Sequence, residues 1–415
     1  MGFQQGLSGL NAASTQLDVI GNNVANANTY GFKSSRVDFG DMYANSFYGV
    51  QNTNPGIGVQ TLGIAQQMAQ GTIASTNNNL DLAVNNNGFF VCKASATGTG
   101  TGTLKYTRDG EFQVDNQGYI NNNGNYLQGW PATATGTIPQ GNLTSLQLQS
   151  SMIAPKASST IAMGVNLNSG STPPTQSPLD PTNPNTYNWS NSTTVYDSLG
   201  NAHNLTLYYA AAAPVTGVGT TWTVTPYMDG NATGQTGSLV YNTDGTLNPL
   251  TQTLAVSYTP AAATGSTVPI NVTLNYTGST QYAANSATNN LTNDGYASGT
   301  VSSINISSAG IIQASYTNGQ TQTIGQVALA NFTNDQGLQS LGSNFWQQTN
   351  SSGPPQYNAP GSGNAGTITA SALENSNVDL TTELVNLITA QRYYQANSQT
   401  IKAEDTIMQT LVNLS

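Results

Sequence analysis

The sequence predicts a multidomain, mainly β chain of antiparallel sandwich- or barrel-like domains. An α-helix stands at each terminus, and the two helices pair as a coiled-coil-like domain. Three observations predict this. Apolar residues recur every seven positions at both ends of the 415-residue chain. Short alternating runs broken by Asp-Gly pairs fill the middle. Charged residues make up only 6% of the chain, so the surface is neutral and hydrogen-bonding rather than ionic.

At the N-terminus, Phe3, Leu10, Leu17 and Val24 are spaced by seven, with Leu7, Ala13 and Ile20 beside them. The helix is expected to stop in the run Asn22, Asn23, Asn26, Asn28, with Gly31 after it. Gly6, Gly9 and Gly21 weaken it by roughly 1 kcal/mol each relative to alanine.

The middle reads as strand. The segment 104–120 is expected to form strand, turn, strand around Asp109-Gly110, and Asp229-Gly230 and Asp244-Gly245 are further hairpin signals. Residues 204–210, 221–228, 270–276 and 301–306 continue the pattern, which favours sandwiches or barrels over a parallel sheet. The repeat at 97–102 reads as a flexible hairpin tip. Residues 166–190 and 349–366 read as surface loops.

At the C-terminus, Leu380, Leu387, Tyr394, Ile401 and Met408 repeat the spacing of seven, widened by Leu384, Leu411 and Val412. Asn377 is the expected N-cap, with Asp379 and Glu383 near the positive helix end.

Composition excludes several functions. Net charge is −10 with eight basic residues, too few and too scattered for nucleic acid or an anionic membrane surface. No run of about 20 apolar residues is present to insert in a bilayer. No basic, then apolar, leader is visible, so an exported chain is expected to leave by a route that cleaves none. Cys92 is the only cysteine and reads as a strand residue, so no intrachain disulfide is expected. His203 is the only histidine and reads as a surface or hairpin residue, which leaves no His-pair metal site. The acidic residues show no local pair suited to glycoside hydrolysis. No catalytic, cofactor-binding or metal-binding residue is therefore assigned.

Each terminal helix is marginal alone, because its apolar face needs a partner. Either the helices share a bundle with copies of the same molecule, or they pack onto their own β domain.

Two long segments carry a resemblance. Residues 8–33, "SGLNAASTQLDVIGNNVANANTYGFK", and 376–414, "SNVDLTTELVNLITAQRYYQANSQTIKAEDTIMQTLVNL", resemble the terminal signatures of the bacterial flagellar rod and hook axial family. The motif positions are Asn22, Asn23, Ala25, Asn26, Asn28, Thr29, Gly31, Phe32 and Lys33. Segments 80–90, 106–120, 193–209 and 327–353, with the long insertion, resemble the hook branch more than the shorter distal-rod branch.

The resemblance implies a structural subunit polymerising into a curved, flexible extracellular tube, a universal joint that passes motor torque from rod to filament. A distal rod protein is the alternative. An adhesin or carbohydrate-active enzyme is the reading outside the family. The resemblance also implies a helical domain of residues 1–30 plus 372–415 lining the tube, and an irregular linking arm at 31–75. It places a β domain at 76–148 plus 291–371 and an inserted outer β domain at 149–290. Implied partners are further copies of the chain, the distal rod, the hook cap, the hook–filament junction proteins and the flagellar type III export apparatus.

Overall fold

The structure is a computed structural model that describes residues 2–42, 56–96, 103–148, 152–213, 215, 219–260, 265–266 and 268–414. The side chains of Leu411, Asn413 and Leu414 fall outside that description, as does the expected hairpin tip at 97–102. Two compact units result: residues 1–150, 303–315 and 321–415 form the first, and 151–302 with 316–320 the second. Residues 291–302 thus group with the insertion, whereas the sequence reading ended it at 290.

The first unit contains both helices, α1 (Gly2–Ala25) and α2 (Leu380–Leu414). The segment 31–75, expected to be irregular, holds an antiparallel ribbon. Ser35–Met42 pairs with Gly58–Gln66 along its whole length, with a bulge between Asp38 and Phe39. The main sheet of this unit contains Phe89–Lys93, which pairs with Leu104–Thr107 on one side and Asn125–Pro131 on the other. Phe89, Phe90, Val91 and Cys92 are all buried, because the strand is covered on both faces. Phe90 and Cys92 join Leu82, Phe112, Ile120 and Leu127 on one face, and Phe89 and Val91 join Tyr106 and Trp346 on the other.

Asp109-Gly110 is not a hairpin turn. After Leu104–Thr107 the chain leaves the sheet, and Glu111 bridges Asp81 instead. Gly110 sits so close to the Leu82 backbone that a Cβ there would fall 1.6 Å from the Leu82 carbonyl oxygen. The hairpin begins one turn later: Gln113–Val114 pairs with Ile120–Asn122 around Asp115, whose carboxylate accepts from the N–H groups of Gln117 and Tyr119. The sequence reading found the strands and misplaced the reversal.

The second unit is a sandwich. One sheet orders Trp189–Tyr196, Ala202–Ala211, Thr220–Met228 and Asn231–Ala232, with Gly237–Tyr241 also on Thr220–Met228. The other orders Thr253–Tyr258, Ile270–Asn275, Thr160–Asn166 and Ala287–Asn293. Strand Ala202–Ala211 alternates buried residues with exposed or half-buried ones along its length, as a strand with one face on a core must. Its inward residues Leu205, Leu207 and Tyr209 meet Trp222, Val224, Leu274 and Tyr276 in one core. Both remaining Asp-Gly signals are turns: Asp229 and Gly230 have φ of 50° and 78°, and Gly245 closes a turn onto Asn242. Thr160–Asn166 runs parallel to Ile270–Asn275, against the all-antiparallel expectation. The connection between them passes through the whole other sheet and then through Thr253–Tyr258, whose antiparallel pairing with Ile270–Asn275 turns the chain back to the direction of Thr160–Asn166. Among the described residues, no helix is long and apolar enough to cross a membrane.

Asp294 ties the second unit's opening segment to its closing one. Its carboxylate accepts from the N–H groups of Ser159 and Thr160 and from Ser159 Oγ, and it pairs with Lys156 at 3.1 Å. Burial opposes ionisation, but these donors outweigh it and hold the carboxyl well below its ordinary range. A depressed folded pKa gives stability that is present above the unfolded value and lost as pH falls. Asp294→Asn is therefore expected to lower the stability of this unit by about 1–2 kcal/mol at pH 7. In denaturant titrations at several pH values, the difference from the unmodified chain is expected to shrink below about pH 4.

Candidate assembly interface

The helices α1 and α2 pack antiparallel. Gly6 lies against Ile401, Gly9 against Asn397, and Asn23 reaches Glu383. The seam is made of small residues. A Cβ on Gly6 would stand 3.0 Å from Ile401 Cγ1, and one on Gly9 would stand 2.7 Å from Asn397 Oδ1. Ala13 and Ala390 are also buried in the first unit. Two of the three glycines that weaken the helix by propensity, Gly6 and Gly9, are thus the ones that let its partner approach.

Both sevenfold repeats exist, but their phase differs from the expected one. Gly6, Ala13 and Ile20 on α1, and Glu383, Ala390, Asn397 and Glu404 on α2, are also spaced by seven, and they turn inward. Of the larger predicted residues, Ile20 and Ile401 reach the seam and the others flank it. Ile20 is buried; Leu10, Leu17, Val24, Leu387 and Ile401 are half-buried; Phe3, Leu7, Leu380, Leu384, Tyr394 and Met408 are exposed. Leu411 lies outside the described side chains. Val385 and Ile388, which the sequence reading did not select, are 59% and 49% exposed and extend the uncovered apolar surface.

Below the helices, the motif residues close a junction. Asn23 is buried and binds Ser35 twice: Oδ1 accepts from Ser35 N–H at 2.9 Å, and Nδ2 donates to Ser35 O at 2.8 Å. Asn26 N–H caps α1 by donating to the carbonyls of Asn22 and Asn23, and its side chain donates to Asn22. Thr29 donates to Asn26 O. Ala25 ends α1 at the surface, Asn28 is exposed and Phe32 half-buried. Gly31 has φ of +69°, donates its N–H to Glu374 O, and leaves only 2.5 Å between a built Cβ and Asp109 N. No other residue type meets both demands.

Lys33 and Arg108 converge on Glu374. Lys33 Nζ lies 2.5 Å from Glu374 Oε1, and Arg108 Nη1 lies 3.2 Å from Oε2. Gly71 N–H donates to Oε1, Lys33 also donates to Ala69 O, and Arg108 Nη2 donates to Asn86 O. All three charged side chains are buried. Burial pulls Lys33 and Arg108 below their ordinary pKa values, and the Glu374 carboxylate opposes that pull. Three distant parts of the chain (31–33, 108 and 374) are thereby joined at one point.

Asn377 is not the N-cap of α2. Its side chain accepts from Ser34 N–H and donates to Gln67 O, holding the base of the ribbon. Asp379 caps the helix, accepting from Thr381 and Thr382 N–H, and those bonds lower its pKa. Spacing alone favoured Asn377, because two Asx residues lie within three positions of the helix start. No local pattern marks Glu374 or Arg108, whose ion pair spans 266 residues.

The other candidate residues sit elsewhere. Cys92 is a buried strand residue whose thiol is pushed far up by burial, so it is inert. His203 is in a hairpin strand but not on the surface. It is 5% exposed, with Nδ1 2.6 Å from Asp229 Oδ2 and Nε2 3.6 Å from Asp197 Oδ2.

Antiparallel terminal helices with uncovered apolar flanks, locked to a β body, define a subunit built for axial assembly. Residues 3–33 match the family described as Flagella basal body rod protein, and 369–414 match Flagellar basal body rod FlgEFG protein C-terminal. Residues 83–154 match Flagellar hook protein FlgE/F/G D1 domain, and 166–296 match Flagellar basal body protein FlaE D2 domain. The chain is 42% identical over 423 residues to the flagellar hook protein FlgE of Escherichia coli (strain K12), covering 100% of both chains. It is 40% identical over 430 residues to that of Salmonella typhimurium, again covering 100% of both. The fold is similar to that of the Helicobacter pylori flagellar hook protein FlgE2, with a TM-score of 0.53 at 14% identity, over 73% of this chain and 100% of that one. This chain belongs to the flagellar hook protein FlgE family.

Four outcomes test the geometry. Glu374→Gln leaves two buried cations without their counter-charge and is expected to cost about 3–5 kcal/mol in urea unfolding. Asp38→Asn, which removes the exposed partner of Arg36, is expected to change stability by about 0.5 kcal/mol or less. Gly9→Ala is expected to reduce helix pairing because its Cβ meets Asn397. Gly21→Ala has no atom within 4 Å of its Cβ and is expected to raise helix stability by about 1 kcal/mol, read by circular dichroism during thermal unfolding.

Proposed function

We propose that the chain is the structural subunit of the bacterial flagellar hook, polymerising into a curved, flexible tube that carries motor torque from rod to filament. One observation carries this reading: the helix pair fills its seam with small residues and leaves Phe3, Leu7, Leu384 and Ile388 uncovered. Burying a side chain of that size is worth about 1.5–3 kcal/mol, so covering several per subunit drives association. In the tube, residues 1–30 and 372–415 form the inner layer. The stripe residues Phe3, Leu7, Leu10, Leu17, Ile20, Val24, Leu380, Leu384, Leu387, Tyr394, Ile401, Met408 and Leu411 serve its assembly.

A universal joint must bend in every direction without breaking. Helix contacts give cohesion. The exposed β faces give compliance, because they carry residues such as Ser190, Ser192 and Thr194 that exchange hydrogen bonds with neighbours or water at small net cost. The protein acts outside the cell envelope as a structural part rather than an enzyme. By family likeness it meets the distal rod, the hook cap, the hook–filament junction proteins and the flagellar type III export apparatus.

The test uses residues that are exposed in the single chain. Leu384→Asp with Ile388→Asp is expected to abolish polymerisation of the purified chain, seen by sedimentation and negative-stain microscopy, while its circular dichroism stays unchanged. Normal tubes from that variant would overturn the assembly role of the α2 flank.

A further inference from the structure

The uncovered flanks of the helices also carry charge, in a chain that has little. Asp18 is the only charged residue of α1, and Arg392 and Lys402 are the only cations of α2. All three are exposed, and among the described residues none forms an ion pair. Asp18 and Arg392 also sit outside the terminal turns, where a helix dipole could account for them. Around Arg392, one exposed face of α2 runs through Val385, Thr389, Ala396, Gln399 and Ala403, three or four residues apart. Around Asp18, the exposed face of α1 runs through Leu7, Asn11, Gly21 and Ala25.

We propose that α1 of one copy lies antiparallel on this face of α2 in a neighbouring copy, with Asp18 of the first paired to Arg392 of the second. The inference rests on the chain forming a homopolymer. Charge complementarity names the pair, and the flanking residues name the direction. Antiparallel pairing through Asp18 and Arg392 brings Ala25 to Val385, Leu7 to Ala403 and Phe3 to Ile407. It also sets the bare backbone of Gly21 opposite Thr389, one position from Ile388, and Gly21 has open space where a Cβ would stand. The parallel alternative through the same two charges places Leu7 on Thr381, carries Phe3 past the start of α2, and faces Ile388 with Ser14. Among the face residues named, apolar meets apolar only in the antiparallel arrangement.

Charge reversal tests the pair in the full-length chain. Asp18→Arg or Arg392→Glu alone lowers the polymer yield of purified protein about ten-fold, and the double reversal restores it to within about two-fold. Cysteines test the proximity independently, because Cys92 is buried and the chain has no other thiol. Polymer of Asp18→Cys/Arg392→Cys, oxidised and run without reductant, gives a ladder of covalent multimers. Single reversals that assemble like the unmodified chain, or oxidised polymer that runs only as monomer, overturn the proposal. Failure of the unmodified chain to polymerise at all would instead count against the homopolymer on which it rests.

Discussion

The rest of the first unit depends on the carboxylate of Glu374. It sits just before α2, yet it holds Lys33 from the end of the α1 motif and Arg108 from the β body. A buried carboxylate with two cations and a backbone donor is stable only when all its partners are in place. The chain therefore cannot seat one terminus without the other. That requirement fixes where the helices leave the β body, while leaving the helices themselves lightly joined. In a torque-carrying subunit, such a junction transmits force from the helices through ionic and hydrogen bonds whose geometry has little freedom.

The helix pair follows the opposite principle. Its seam is closed by Gly6, Gly9, Ala13 and Ala390, which allow close approach but bury little apolar area. Most of the residues with much to gain from burial, Phe3, Leu7, Leu384 and Ile388 among them, face away from the seam. A self-sufficient coiled coil would place leucines inward and charges outward. Here small and polar residues take most of the inward positions, with Ile20 and Ile401 the exceptions, so the pair is completed by other molecules. Low overall charge fits this arrangement, since copies meet with little mutual repulsion.

Much of this was legible in the sequence, and the gaps have physical causes. Two sevenfold repeats located α1 and α2, and alternation located strands such as Ala202–Ala211. Phase was not legible, because a repeat of seven fits equally a set of leucines and the set of glycines and alanines beside it. Apolarity favoured the leucines, and the seam chose the smaller residues. The turn at Asp109-Gly110 misled because a glycine forced by close backbone approach looks, in sequence, like a glycine forced by a turn. Asn377 misled because its side chain satisfies a distant loop, Ser34 and Gln67, rather than its own helix. Glu374 left no signal at all: its partners are 341 and 266 residues away. In the motif, by contrast, Asn23, Gly31 and Lys33 were found as a set, and the structure supplies a separate reason for each.

The central claim is that the exposed flanks of α1 and α2 are unfinished interfaces between copies. Electron cryomicroscopy of polymer grown from the purified chain tests it most directly. The account predicts that α1 and α2 form the innermost layer, with Leu384 and Ile388 of every copy covered by a neighbouring copy's helix. A polymer in which those two side chains remain in solvent, with the β faces alone holding the copies together, would contradict it.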